Sequence, residues 1–239
     1  MPFRVGDEIR DSHILFGVRS NYPFKYSNIL PELWGEFVEE YRIQLGLSNS
    51  TKVFDKKIVW DIGPAEGLFS YLAICQGAVS VELVQPKNIL GDRLLTFFAG
   101  INLLEKVVMN FGYFPSVIPK QSPDLIICSG VLYHADDVQL FLDEILRHRV
   151  PVLIETTIDI NENNEFIPTI HNDGFSSNTS LHLSWLKIEI EKNKFKIFEL
   201  PKYNLYCEDR GNFVQNFDRH GTSTIHRWAA LLLPPDLKD

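Results

Sequence analysis

The chain has 239 residues, 45% of them hydrophobic and 23% charged, with a net charge of −8 and three cysteines. This composition is that of a globular protein and excludes disordered, collagen-like and coiled-coil classes, while the acidic total argues against a passive nucleic-acid binder. No apolar run reaches the roughly 18 residues that a membrane span needs; the opening Met1-Pro2-Phe3-Arg4-Val5-Gly6-Asp7-Glu8 lacks the apolar stretch of a secretory leader, so a reducing cytoplasm is expected.

The length suits one large domain, or one domain with an added cap. Residues 11–28 are polar and aromatic, with Arg19, Tyr22, Phe24, Lys25 and Tyr26 close together. Pro31 then opens a helix in which Leu33, Trp34, Phe37, Val38, Tyr41 and Leu45 recur at helical spacing. From residue 58 strands and helices alternate. Strands are expected at 58–62, 79–84, 107–111, 124–128 and 150–156. Helices are expected at 66–76, stopped by Gly77, at 88–104 and at 138–147. Such alternation predicts parallel strands joined by right-handed crossovers, and near-continuous apolar strands predict a sheet buried on both faces. Residues 160–180 read as a polar loop. A helix follows over 181–192, with Leu183, Leu186 and Ile190 as its core side, then strands at 196–200 and 227–233. Between these two strands lies a long connection, 201–224. Trp34, Trp60 and Trp185 are expected in the core. Cys75, Cys128 and Cys207 lie too far apart for a disulfide or zinc framework.

The strongest site signal is Asp61-Ile62-Gly63-Pro64-Ala65-Glu66-Gly67, between the first strand and the first following helix. Parallel sheets bind ligands beyond the carboxyl ends of their strands. Small residues there admit a ligand close to the backbone, and the amides opening the helix favour an anionic group. A dinucleotide fingerprint would need glycine at the first, third and sixth positions, where this chain has Gly63, Ala65 and Leu68. Small residues at the first, third and fifth positions after an acidic residue, here Gly63, Ala65 and Gly67 after Asp61, fit the methyltransferase pattern with one glycine-to-alanine departure.

The fourth strand continues into Ser129-Gly130-Val131-Leu132-Tyr133-His134, and the fifth ends Leu153-Ile154-Glu155-Thr156. Ser180-Leu181 and Trp185-Leu186 follow. With the glycine turn, this series resembles class I S-adenosylmethionine-dependent methyltransferases, and within them the tRNA wobble-uridine carboxymethyltransferase-like branch. The resemblance covers about residues 56–233; residues 1–55 form an extension or cap before a methyltransferase domain over 56–239. It implies a Rossmann-like α/β fold: a seven-stranded, mostly parallel sheet with helices on both faces and one antiparallel strand near the carboxyl terminus. S-adenosyl-L-methionine is the implied cofactor, with contacts from Asp61, Gly63, Pro64, Ala65, Gly67, Gln85, Pro86, Ser129 and Gly130. Asp61 lies near the cofactor's amino-acid end. Gln85 stands where an acidic residue usually holds the ribose hydroxyls, and an amide does this without charge assistance. Glu82 is an alternative. Tyr113 or Phe114 could pack on adenine.

Methyl transfer to a hydroxyl needs alignment and a base for its proton. His134 is the candidate base, since its reference pKa suits proton transfer near neutrality. Tyr133 lines the methyl pocket, and Glu155 binds the acceptor or assists His134. Asp136, Asp137, Glu155 and Asp159 could supply oxygen ligands to a divalent metal, but solvated acidic residues are the expectation and no metal is assigned. His171-Asn172-Asp173-Gly174 reads as a turn with a possible substrate role. Arg210, Arg219, His220 and His226 are further acceptor contacts to consider. In the tRNA branch an arginine follows the histidine; here Ala135-Asp136-Asp137 follows, and the net charge opposes tRNA. The expected acceptor is therefore a sugar, glycan or small metabolite, with no nucleic-acid or membrane partner. A tRNA uridine-modifying enzyme and a non-catalytic partner subunit of the same fold stay open.

Overall fold

A computed structural model describes residues 29–65, 67–87, 89–159, 169–172, 177–201 and 225–237. The chain divides into two compact units, 1–121 and 122–239.

In the first unit, helix α1 spans Ile29–Gln44. Its apolar residues fall three and four apart, which puts them on one face. Leu33, Trp34, Phe37 and Tyr41 are each at most 2% exposed. Trp34 lies nearly flat on Phe69, with ring centroids 5.6 Å apart and planes at 18°. Phe54 completes the cluster against Trp34, Phe37 and Tyr41. The described part of the expected 1–55 extension is thus built into the core of this unit. Strands β1 (Ile58–Ile62), β2 (Ser80–Gln85) and β3 (Val107–Phe111) pair in parallel in the order β3-β2-β1. Helix α2 (Leu68–Cys75) joins β1 to β2, and α3 (Ile89–Gly100) joins β2 to β3. Each boundary lies within a few residues of its sequence expectation, except that the third helix closes at Gly100 and a 3-10 turn over Leu104–Lys106 follows.

The second unit holds β4 (Leu125–Ser129), α4 (Val138–Leu146), β5 (Val152–Asp159), β6 (Thr169–Asn172), β7 (Ser177–His182), α5 (Leu183–Lys192), β8 (Lys196–Glu199) and β9 (Ile225–Leu233). β4 pairs with β5 in parallel. β9 runs antiparallel to both β5 and β8. This is the expected fold class: mixed α/β, mostly parallel strands, and an antiparallel strand near the carboxyl terminus.

Three expectations are corrected here. The region read as a loop over 160–180 contains an antiparallel hairpin, β6 with β7. Its residues are polar, so no apolar alternation announces it. β9 covers the whole of one edge of β5, while β4 stops opposite Glu155. β7 takes the same edge further on, pairing in parallel at Ile158 and Asp159. The fifth strand therefore does not end at 156, and Glu155 lies in its middle. Leu181 and His182 belong to β7, so the helix expected from 181 starts at Leu183. Trp34 and Trp60 are buried, and Trp185 is half-buried. Among the described residues no helix is long and apolar enough to cross a membrane.

Candidate functional site

The turn after β1 is built from unusual backbone. Gly63, Ala65 and Gly67 have φ of 68°, 50° and 77°. The left-handed region costs an L-residue with a Cβ about 1–2 kcal/mol, so Ala65 sits where glycine would be at ease. The turn is tied at both ends: Gly63 N–H donates to the Val84 carbonyl at 3.0 Å, and Gly67 N–H to the Pro64 carbonyl at 2.7 Å. Pro64 is buried, whereas Ala65 is exposed and Gly63 half-buried. The turn thus presents its backbone around Gly63 and Ala65.

Gly67 has a different reason to be glycine. A Cβ there would stand 2.6 Å from Leu94 Cδ2 and 3.3 Å from Phe98 Cε2. The space a side chain would take is already filled by α3, so this glycine serves the packing of α2 on α3.

Asp61, on β1, is 2% exposed. The Ser70 hydroxyl of α2 donates to its carboxyl. Burial pushes the Asp61 carboxyl up to about 7, against the opposing pull of hydrogen bonds from the Ser70 side chain and backbone. Gln85, the last residue of β2, is 6% exposed. No hydrogen bond within the described residues takes up its side-chain amide, although its carbonyl accepts from Gly112 N–H. Pro86 follows it directly.

Glu82 is engaged elsewhere. Its buried carboxylate accepts from Asn110 Nδ2 (3.1 Å), Lys120 N (3.2 Å) and Gln121 N (3.0 Å). Trp60 Nε1 adds a bond to the Gln121 carbonyl at 2.9 Å. Glu82 therefore pins the segment around 120, which leaves Gln85 as the polar side chain at the end of β2. Beyond β3, Tyr113 is exposed and Phe114 buried. A cavity of about 440 Å³ between α1 and Gln76, lined by Trp34, Val38, Arg42, Ile43 and Leu47, contains none of the expected site residues.

In the second unit the expected residues at the end of β4 and in the middle of β5 come together. Glu155 has no solvent exposure. Ser129 Oγ donates to its Oε2 at 3.0 Å, and Gly130 N–H donates to its carbonyl at 2.9 Å. Its carboxylate also pairs with the Arg227 guanidinium. Arg227 Nη2 reaches Tyr133 Oη at 3.4 Å, and its Cζ lies 5.8 Å from the centroid of the Tyr133 ring. A 3-10 turn over Leu132–His134 carries Tyr133, which is buried, and His134, which is exposed. The two rings are 4.1 Å apart at their centroids. Arg227 is the residue sequence reasoning missed. It stands alone at the start of an apolar strand, 72 residues from Glu155 in sequence and 94 from Tyr133.

Asp137, considered as an oxygen ligand, caps α4: its Oδ1 accepts from Leu140 N–H at 2.9 Å. Among the described residues no three His, Cys, Asp or Glu side chains form a metal-holding group. The amino-terminal cluster over 11–28, Asp173, Gly174, Arg210, Arg219, His220 and the side chains of Asp159, His171, Asn172 and His226 lie outside the described residues.

No protein-family model and no curated protein matches the sequence. Solved structures do match in fold. Geranyl diphosphate C-methyltransferase from Streptomyces coelicolor A3(2), determined with Mg2+, geranyl diphosphate and S-adenosyl-L-homocysteine, has a TM-score of 0.59 at 14% identity, over 91% of this chain and 86% of its own. An S-adenosylmethionine-dependent methyltransferase from Mesorhizobium loti has a TM-score of 0.55 at 14% identity, over 83% and 99%. The [4+2]-cyclase SpnF has a TM-score of 0.57 at 11% identity, over 85% and 81%. The chain has the class I methyltransferase fold. That fold carries more than one chemistry, so function has to be argued from the site.

Proposed function

We propose that this chain is an S-adenosylmethionine-dependent methyltransferase that transfers a methyl group to a hydroxyl of a sugar, glycan or other small metabolite. The observation that carries the reading is the end of β2 beside the glycine turn: a 6%-exposed Gln85 whose amide has no partner among the described residues. An amide in that position can both donate to and accept from a ribose hydroxyl. The backbone at Gly63 and Ala65, with Pro64 and Pro86 flanking, would pass close to the nucleoside. Asp61 would face its amino group. Gly67 supports the turn by packing and leaves ligand contact to its neighbours.

When bound, the cofactor supplies a methyl group already activated on a sulfonium. The protein's part is to align the acceptor oxygen and remove its proton. His134, exposed on its 3-10 turn, accepts that proton on its imidazole. Tyr133 lines the acceptor side, and Glu155 acts as a positioning residue through Ser129 and Arg227. The fold likeness to methyltransferases supports the reaction class, and the net charge of −8 supports a small acceptor over tRNA. One observation favours a second reading, a partner subunit of the same fold without catalysis: Ala65 holds a left-handed conformation inside the cofactor motif.

Calorimetric titration with S-adenosylhomocysteine tests the proposal. Binding at micromolar concentration, lost in Gly63→Val while that variant stays folded, supports it. His134→Ala should keep this affinity and lose turnover with labelled donor in a screen of neutral sugars. Absence of binding at millimolar ligand moves the partner-subunit reading to the front.

A further inference from the structure

The second unit places a compensated charge pair beside the residues proposed to meet the acceptor. Glu155 is fully buried, and the Arg227 side chain is 12% exposed. A guanidinium at a strand end ordinarily recruits carboxylates or phosphates, with which it pairs bidentately. Here the carboxylate is already supplied from inside the protein. Ser129 and the Gly130 amide fix β4 to Glu155 on one side, and Arg227 carries the constraint on to the Tyr133 hydroxyl on the other. Because Tyr133 Oη accepts from Arg227, the phenol proton is directed away from the guanidinium. Gly130 (φ +69°) adds no side chain over this pair; a Cβ there would stand 3.7 Å from Glu155 Oε2 and 3.9 Å from Arg227 Nη1. Ser129, Glu155, Tyr133 and Arg227 together therefore carry one full positive and one full negative charge, in contact.

We propose that Arg227 is a specificity-determining and positioning residue: neutralised by Glu155, it fixes the Tyr133 hydroxyl and restricts this face to uncharged, hydroxyl-bearing ligands while rejecting anionic ones. The word acceptor for that ligand rests on the methyltransferase reading; the charge compensation does not. Rejection follows from cost. An anion engaging Arg227 would compete with Glu155 for the guanidinium, and a buried carboxylate deprived of its partner is strongly destabilised. An uncharged hydroxyl makes no such demand.

The test uses the full chain and inorganic phosphate as the anionic probe, titrated by calorimetry into the wild type, Glu155→Gln, Arg227→Gln and the double variant Glu155→Gln/Arg227→Gln. Glu155→Gln should bind phosphate at least tenfold more tightly than the wild type, and the double variant should return to the wild-type value. Equal phosphate affinity in wild type and Glu155→Gln overturns the proposal, as does a gain that persists in the double variant. Should Glu155→Gln not fold, Glu155→Asp keeps the charge but draws it back by one methylene. It should show the same gain in smaller measure, and an affinity unchanged from wild type counts against the assignment. S-adenosylhomocysteine titrated into the same wild-type sample separates the two claims. Failure there with the phosphate gain intact removes the cofactor reading and leaves the charge assignment standing.

Discussion

The hydroxyl of Ser70, on α2, donates to the carboxyl of Asp61, on β1, and the acid is 2% exposed. Burial holds its pKa up at about 7, against about 3.9 in an unfolded chain. Between those values the native state keeps a proton that the unfolded state has released, so stability falls as pH rises. The ceiling on this loss is about 4 kcal/mol across the window, at roughly 1.4 kcal/mol per pKa unit. Urea midpoints measured at pH 5 and pH 8 should therefore drop in the wild type and converge in Asp61→Asn. An equally steep drop in the variant would place the proton elsewhere.

Ala65 supplies a second prediction. At φ 50° its Cβ is strained, and glycine removes about 1–2 kcal/mol of strain while returning about 0.5–1 kcal/mol of chain entropy to the unfolded state. Ala65→Gly should raise stability by about 0.5–1 kcal/mol, seen as a higher denaturation midpoint. A lower midpoint would mean that the side chain makes a contact worth more than the strain.

Gly67 should behave in the opposite way. Its substitution by alanine drives a Cβ to within 2.6 Å of Leu94 Cδ2 at a left-handed backbone, costing roughly 2–4 kcal/mol. Leu94→Ala should relieve part of this. In a double-mutant cycle the pair should cost less than the sum of its members, and strict additivity would show that the two residues do not meet.

The buried ring of Trp34 gives the largest expected loss, about 3–5 kcal/mol on replacement by alanine. Thermal unfolding followed by near-ultraviolet circular dichroism would report it. A loss under about 1 kcal/mol, the scale of a surface substitution, would contradict the packing of α1 on Phe54 and Phe69.

The parts of the fold that could be read in advance are those whose chemistry is local. β1, β2 and β4 are apolar runs, and Gly77 and the Asp61–Gly67 series punctuate them. The hairpin escaped because Thr169 to Asn172 and Ser177 to Ser180 offer no apolar alternation; β7 is set against β5 only through Ile158 and Asp159. In the candidate site, Asp61, Gly63 and Tyr133 were legible from short motifs. Arg227 was not, since a lone arginine in a strand such as Arg227-Trp228-Ala229 gains meaning only from partners far off in sequence. Gly67 stood out in the motif only as a cofactor contact; its packing against Leu94 was not legible.

The aromatic seam between α1, Phe54 and Phe69 also decides where this chain can be cut. A version starting at residue 56 would delete Phe54 and leave Phe69 facing water. Trp34, Phe37 and Tyr41 would then be missing from a surface shaped to receive them. The smallest autonomous piece must begin upstream of Leu33, and a fragment trimmed to the first strand would expose this apolar surface. In this chain the amino-terminal helix is welded to the fold, and any ancestor or relative without it needs another way to shelter Phe69.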